Sequence, residues 1–101
     1  MSNVQKEKVY DLEERTARFG EEIIEFAKKV SRSIITHSII DQLVRAGTSV
    51  GSNYCEADCA ESKKDFEHKL GICKKEAKES KHWLRMVVKA VPELKEEAGK
   101  L

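Results

Sequence analysis

Basic side chains are concentrated in one segment of the chain, where their spacing is suited to binding phosphates. Residues 63–90 hold nine lysines and arginines against four aspartates and glutamates, a local charge of +5, whereas the whole chain carries only +1. A row of cations at helical spacing can neutralise phosphates, with an affinity that falls as salt rises. The candidate nucleic-acid contacts in this row are Lys64, Lys75, Lys78, Arg85 and Lys89.

An ordinary solvated helix face is the alternative interpretation of the same row. A lysine and a glutamate four residues apart on a helix attract each other, and Lys75 and Glu79 form such a pair. Trp83 is the aromatic residue that interleaves with the cations, and one such residue does not indicate base stacking. The row therefore indicates contact with phosphates rather than with bases.

Cysteine, histidine and carboxylate side chains could hold a metal, but their spacing does not favour it. Cys73 lies on the apolar seam of the third helix, whereas Cys55 and Cys59 lie off the apolar seam of the second. No Cys-x-x-Cys pair occurs. A di-iron bundle needs several Glu-x-x-His pairs facing the core, and Glu79-Ser-Lys-His82 occurs once, beside the seam. No nucleophile lies in a plausible catalytic constellation. We therefore predict no metal, no cofactor and no enzymatic activity.

Helices must position these residues, because apolar side chains recur at alternating intervals of three and four. Short connections indicate that consecutive helices are antiparallel. The predicted fold is all-α, an antiparallel up-down four-helix bundle with a short or incomplete fourth helix. It forms one domain over residues 11–101, after a flexible N-terminus at residues 1–10. The predicted helices are at about 11–32, 38–60, 63–90 and 92–101.

The fourth helix is expected to be started and not finished. Pro92 suits the first turn of a helix, and the sequence stops at Leu101. Either another chain closes the bundle, or this chain is a shortened version of a longer one.

Several residues of the second helix point to helix packing or to contacts between subunits. Gly47 and Gly51 each cost up to about 1 kcal/mol relative to alanine inside a helix, which indicates close backbone packing. A phosphate-binding loop between them is the alternative, but the preceding strand and the lysine of such a loop are missing. Asn53 would fix helix register or contact another subunit. Tyr54 and Trp83 are expected to pack, and either could lie at a subunit interface, where aromatic residues are enriched.

Nothing in the sequence indicates a membrane segment. No apolar run approaches the roughly 20 residues that span a bilayer, and Met1 to Lys8 lacks the apolar part of a secretory signal. The three cysteines are an odd number and are expected to be reduced thiols. We expect a cytoplasmic protein that makes no contact with a membrane.

Four motifs occur together along the chain. They are Asp11-Leu-Glu-Glu-Arg15, Arg45-Ala-Gly-Thr-Ser-Val-Gly-Ser-Asn53, Ser62-Lys-Lys-Asp-Phe66 and Lys75-Glu-Ala-Lys-Glu79 with Trp83-Leu84. With this combination, residues 10–90 resemble the bacterial four-helix-bundle proteins that are encoded in intervening sequences of 23S ribosomal RNA genes. The accessory variability protein of diversity-generating retroelements is similar to this family.

The resemblance implies an up-down bundle, a ring-like homopentamer and no enzymatic activity. In the retroelement relatives, such a ring binds a reverse transcriptase and RNA through its basic surface, and the resemblance implies a similar role here. We therefore predict a homo-oligomeric scaffold whose partners are its own copies and structured RNA or a reverse-transcriptase-like protein. The alternative is a protein–protein interaction module with no nucleic-acid role, in which the apolar edge beside the short fourth helix binds a partner helix.

Overall fold

The described part of the chain is helical, as predicted, and contains no strand. The structure, a computed structural model, describes the backbone of residues 3–101 and the side chains of residues 11–101. The fold is an antiparallel helix bundle whose fourth helix is short. A 3₁₀ turn, Pro92–Leu94, precedes this fourth helix. The four α-helices are α1 (Asn3–Lys28), α2 (Ile34–Asp58), α3 (Lys63–Ala90) and α4 (Lys95–Gly99).

Helix α2 begins earlier than predicted because Ser33 caps it. The Ser33 hydroxyl accepts a hydrogen bond from the Thr36 N–H at 3.0 Å, and the Thr36 hydroxyl accepts one from the Ser33 N–H at 2.8 Å. This reciprocal pair satisfies two backbone donors at the helix start. The predicted start at residue 38 was therefore too late, and the predicted end of the first helix at residue 32 lies beyond its observed end at Lys28.

Helix α1 includes positions that the sequence analysis placed before it. It starts at Asn3 rather than at residue 11, so Asp11 lies inside the helix, where its carboxylate pairs with Arg15 at 3.1 Å. The predicted flexibility of residues 1–10 stays a prediction. Residues 1 and 2 of that segment lie outside the described residues.

Helix α3 occupies the predicted range. Ser62 is its N-cap, and the Ser62 hydroxyl accepts a hydrogen bond from the Asp65 N–H at 3.1 Å. At the other end the Val91 N–H donates to the Val87 carbonyl at 2.7 Å. Pro92 follows, and because proline has no N–H and a fixed φ, it stops α3 and opens the next turn.

Glycines of α1 and α2 let these two helices approach closely. A Cβ atom at Gly47 would lie 2.8 Å from Cγ1 of Ile23, and one at Gly51 would lie 3.3 Å from the backbone oxygen of Thr16. A Cβ at Gly20 would meet the Thr48 Cα at 3.5 Å. The glycines inside α2 thus sit where a side chain would hold α1 away, which offsets their low helix propensity.

The main apolar core lies at one end of a molecule that is 49 Å long. Helix α2 packs against both α1 and α3, and α4 closes the core end. Away from that end, Leu12 and Phe66 remain 44% and 37% exposed. The buried core cluster consists of Ile23, Phe26, Val30, Leu43, Leu84, Val87 and Ala98.

The helices carry polar faces throughout. Among the described residues, no helix combines the length and the apolar character that crossing a membrane requires. The expected cytoplasmic location stays a prediction.

Replacing Gly47 by alanine should lower the free energy of unfolding by about 1–3 kcal/mol, because the new methyl group overlaps the fully buried Ile23. Gly71→Ala is the matched control. No atom lies within 4 Å of a Cβ at this position, so Gly71→Ala should stabilise α3 by up to about 1 kcal/mol. Urea unfolding of the two variants measures both effects. Equal stability of the two variants would contradict the close contact.

Candidate nucleic-acid interface

The buried residues of α3 determine which of its faces points outward. Cys73, Ser80, Leu84 and Val87 are buried and lie on one side of the helix. Because successive residues turn by about 100° around a helix, the opposite side carries the predicted contact residues. All five are exposed, and we call them the basic stripe: Lys64, Lys75, Lys78, Arg85 and Lys89.

The cations of the basic stripe form no ion pairs in the described part of the protein. Among residues 11–101, the one cation of α3 that forms an ion pair is Lys69, which contacts Glu56 of α2 at 2.9 Å. Lys69 lies on the flank that faces α2 and is not part of the stripe. The stripe therefore presents its positive charge to solvent.

Arg45 of α2 explains why the stripe is unpaired. Its guanidinium contacts the carboxylate of Glu76 at 3.3 Å and also pairs with Glu79, both of α3. The pKa of Arg45 is raised, chiefly by its hydrogen bond to Glu79. The pair between Lys75 and Glu79, which the solvated-face interpretation requires, is not formed. Two of the four acidic side chains of α3 are thus directed to α2, away from the stripe.

The remaining acidic residues of α3, Asp65 and Glu67, do not neutralise the basic stripe. Asp65 lies in the first turn, where its backbone N–H is bound by the cap, and Glu67 is exposed beside the stripe. Neither forms an ion pair among the described residues. Glu67 is therefore the one carboxylate close enough to the outward face to weaken its positive charge.

Trp83 is a packing residue in this structure. It is partly buried against the core cluster, and its ring meets that of His82 edge-on, with centroids 4.9 Å apart. Its indole Nε1 is buried and has no hydrogen-bond partner among the described residues. Trp83 therefore packs against the core rather than standing free beside the stripe.

The other residues predicted for packing lie along α2. Gly47 and Gly51 face α1, as described above, and Tyr54 is buried, with a pKa raised chiefly by burial. The Asn53 side chain donates to the carbonyl of Ser49 at 2.8 Å, one turn earlier in its own helix. The predicted contact of these residues with another subunit stays a prediction.

The cysteines do not come together as a metal site. Cys73 is buried, and its pKa is raised chiefly by desolvation, whereas Cys55 and Cys59 are exposed thiols on α2. No group of three or more metal-ligating side chains exists among the described residues.

Comparison with known proteins assigns the chain to a family. Residues 8–98 match the model of the 23S rRNA-intervening sequence protein family. This chain belongs to that family. No curated protein matches it. Among solved structures it is similar to a protein of unknown function from the S23 ribosomal protein family of Bacteroides thetaiotaomicron VPI-5482. The two are 28% identical, with a TM-score of 0.77, over 88% of this chain and 82% of that one.

Membership of the 23S rRNA-intervening sequence protein family agrees with the resemblance drawn from the motifs. Neither the family description nor that of the solved relative names an enzymatic activity. The absence of catalysis therefore stays a prediction, and the family name by itself assigns no site.

Sequence reasoning missed two features of this intervening sequence protein. Arg45 is the counter-ion of two glutamates on a different helix, and only the pairing of α2 with α3 identifies it. A groove of about 590 Å³ also lies beside the α1–α2 contact, lined in part by Ile24, Ile40 and Val44. The sequence contained part of the evidence for this groove, because Ile40 and Val44 are apolar and lie four residues apart, on one face of α2.

Arg45→Met should lower the free energy of unfolding of this intervening sequence protein by up to about 1 kcal/mol, because it leaves Glu76 largely buried without a partner. The same substitution in a Glu76→Gln, Glu79→Gln background should cost less, since the charges that Arg45 neutralises are gone. Chemical unfolding of the variants in this double-mutant cycle measures the difference. An equal cost in both backgrounds would show that the ion pairs contribute nothing.

Proposed function

We propose that this family member is a non-enzymatic helical scaffold that assembles with copies of itself and binds RNA, or an RNA-handling protein such as a reverse transcriptase, through the basic stripe. The observation that carries the proposal is the row of exposed cations without ion-pair partners on the outward face of α3. A cation that is already desolvated and paired inside the protein would bind a phosphate less strongly.

The distribution of charge supports the same function. Helix α3 carries +5 and the whole chain carries +1, so the rest of the protein carries −4. A polyanion that approaches this protein is attracted to one face and repelled by the remainder, which orients it before contact. Such steering needs no large net charge.

Self-assembly would multiply this face, and the resemblance to the retroelement relatives implies five copies. Ile34 and Ile35 support contact between copies, because they are 93% and 67% exposed at the start of α2. Large apolar side chains that are exposed together mark interaction sites. In an assembly, several stripes would bind one RNA molecule with an avidity that a single stripe lacks.

A protein-interaction module without a nucleic-acid role is the second candidate function. The groove beside the α1–α2 contact supports it, since apolar side chains such as Ile24 and Val44 line it and an amphipathic helix is the usual occupant of such a groove. Under this function the basic stripe would be a solvated surface.

Reversing the charge of two stripe residues, in the variant Lys78→Glu with Arg85→Glu, should weaken binding to structured RNA at least tenfold, because two phosphate contacts become repulsive. The matched control is Arg15→Glu with Arg18→Glu, which makes the same change in net charge on exposed residues of α1. Fluorescence anisotropy across a salt series measures the affinities, and circular dichroism checks the fold. Equal losses in both variants would mean that only net charge matters, and unchanged affinity in the stripe variant would reject the stripe.

Ile34→Lys should lower the molar mass measured by light scattering, because it places a charge in the exposed apolar pair. Ser38→Lys adds the same charge one turn further along α2 at an exposed position and should leave the assembly intact. A wild-type protein that is monomeric at micromolar concentration would contradict self-assembly altogether.

A further inference from the structure

The five cations of the basic stripe fall into three groups along the helix axis, and the exposed Lys63, Lys74 and Lys81 lie on the adjoining flank. Lys64 forms the first group, Lys75 with Lys78 the second, and Arg85 with Lys89 the third. At a rise of 1.5 Å per residue, the centres of successive groups are about 19 Å and 16 Å apart, and the stripe is about 38 Å long. No glycine or proline interrupts α3 between Lys75 and Lys89, so the spacing of the second and third groups is rigid, whereas Gly71 lies between the first group and the second.

A double-stranded nucleic acid presents phosphates at a comparable interval. A line drawn along a B-form DNA duplex crosses the backbone of each strand once per turn, so it meets two rows of phosphates in a turn of about 34 Å, separated alternately by the wide and the narrow groove. The average distance between rows is therefore about 17 Å. A straight helix that lies along such a duplex can bring each of the three cation groups to a different row.

A single strand is a poor match for the same surface. Proteins that bind single strands combine a basic groove with aromatic side chains on which the bases stack. The basic stripe lies on the outward face of one helix, and the rings beside it are those of the exposed His68 and His82, the second of which lies edge-on to Trp83. No phenylalanine, tyrosine or tryptophan lies on this face. Phe66 is 37% exposed but lies on the opposite side of α3, with the core residues. An unpaired base would find only these two histidine rings here, and none of the larger aromatic platforms that single-strand binding surfaces carry.

We propose that the basic stripe binds the backbone of a double-stranded nucleic acid along about one turn, by charge and shape and without reading the sequence. The inference rests on the proposed function and names its ligand class. Four of the five stripe residues are lysines, which contact phosphates as point charges rather than as the planar forks that read base edges. RNA and DNA duplexes share the chemistry that the stripe recognises.

The test compares three probes of the same length with the full-length protein. They are an RNA stem of about 16 base pairs, a DNA duplex of the same sequence, and one of the RNA strands designed not to pair with itself. Affinity is measured by fluorescence anisotropy between about 50 and 200 mM salt. The duplexes should bind at least tenfold tighter than the single strand, and scrambling the duplex sequence should change the affinity less than twofold. The logarithm of affinity should fall with that of salt with a slope of about −3 to −5 per stripe.

Two variants at opposite ends of the stripe test the spacing. Lys64→Ala and Lys89→Ala should each weaken binding to the long stem and reduce the salt slope by about 1. A stem of six base pairs cannot reach all three groups, so its affinity should change less than twofold in Lys64→Ala. Lys28→Ala removes an exposed cation of α1 that is paired with Glu25 and should leave binding to every probe unchanged.

The outcomes separate this inference from the proposed function. Equal binding of RNA and DNA duplexes supports recognition of the shared backbone, and tighter binding of the RNA stem supports recognition of its 2′-hydroxyl groups or A-form shape as well. Binding of the single strand as tight as that of the duplexes overturns the inference while nucleic-acid binding stands. Absence of binding to all probes at low salt overturns both.

Discussion

The close contact between α1 and α2 is the constraint on which the rest of this structure depends. Gly47 has no side chain, and Ile23 of α1 fills the space that a Cβ atom would need. This contact leaves Ile23 fully buried, and the remaining core residues of α1 pack around it towards α3 and α4. One added methyl group at Gly47 would overlap Ile23 and force this part of the core to shift, because protein interiors are close-packed.

The position of α2 between its neighbours also determines the electrostatic character of α3. One flank of α2 packs against α1 through Gly47 and Gly51. The other flank carries Arg45, which pairs with Glu76 and Glu79 of α3. The packing of the bundle thus separates the charges of α3 into an acidic flank, which pairs with the partly exposed Arg45 beside the α2–α3 contact, and a basic face in solvent. Surface charge in this protein is a consequence of how the helices pair.

The fold was predictable from the sequence because its signal is periodic. Alternating spacings of three and four residues located every long helix, and Ser62 marked the start of α3 correctly. The start of α2 was missed because Ser33 and Thr36 form a capping pair without the usual glutamate or glutamine. The exposure of the stripe residues followed from the core seam of α3. Their lack of partners did not, because that depends on Arg45, whose contacts require the three-dimensional pairing of α2 with α3.

The unpaired cations of α3 have a cost for the helix that carries them. Lys74 and Lys78, Lys81 and Arg85, and Arg85 and Lys89 are like charges four residues apart, and such pairs repel each other on a helix surface. Ions in solution screen this repulsion, so its destabilising effect on α3 should fall as ionic strength rises, while the same ions weaken exposed ion pairs such as that of Lys69 with Glu56. A polyanion that settles on this face would relieve the same repulsion, and binding and folding of α3 would then reinforce each other.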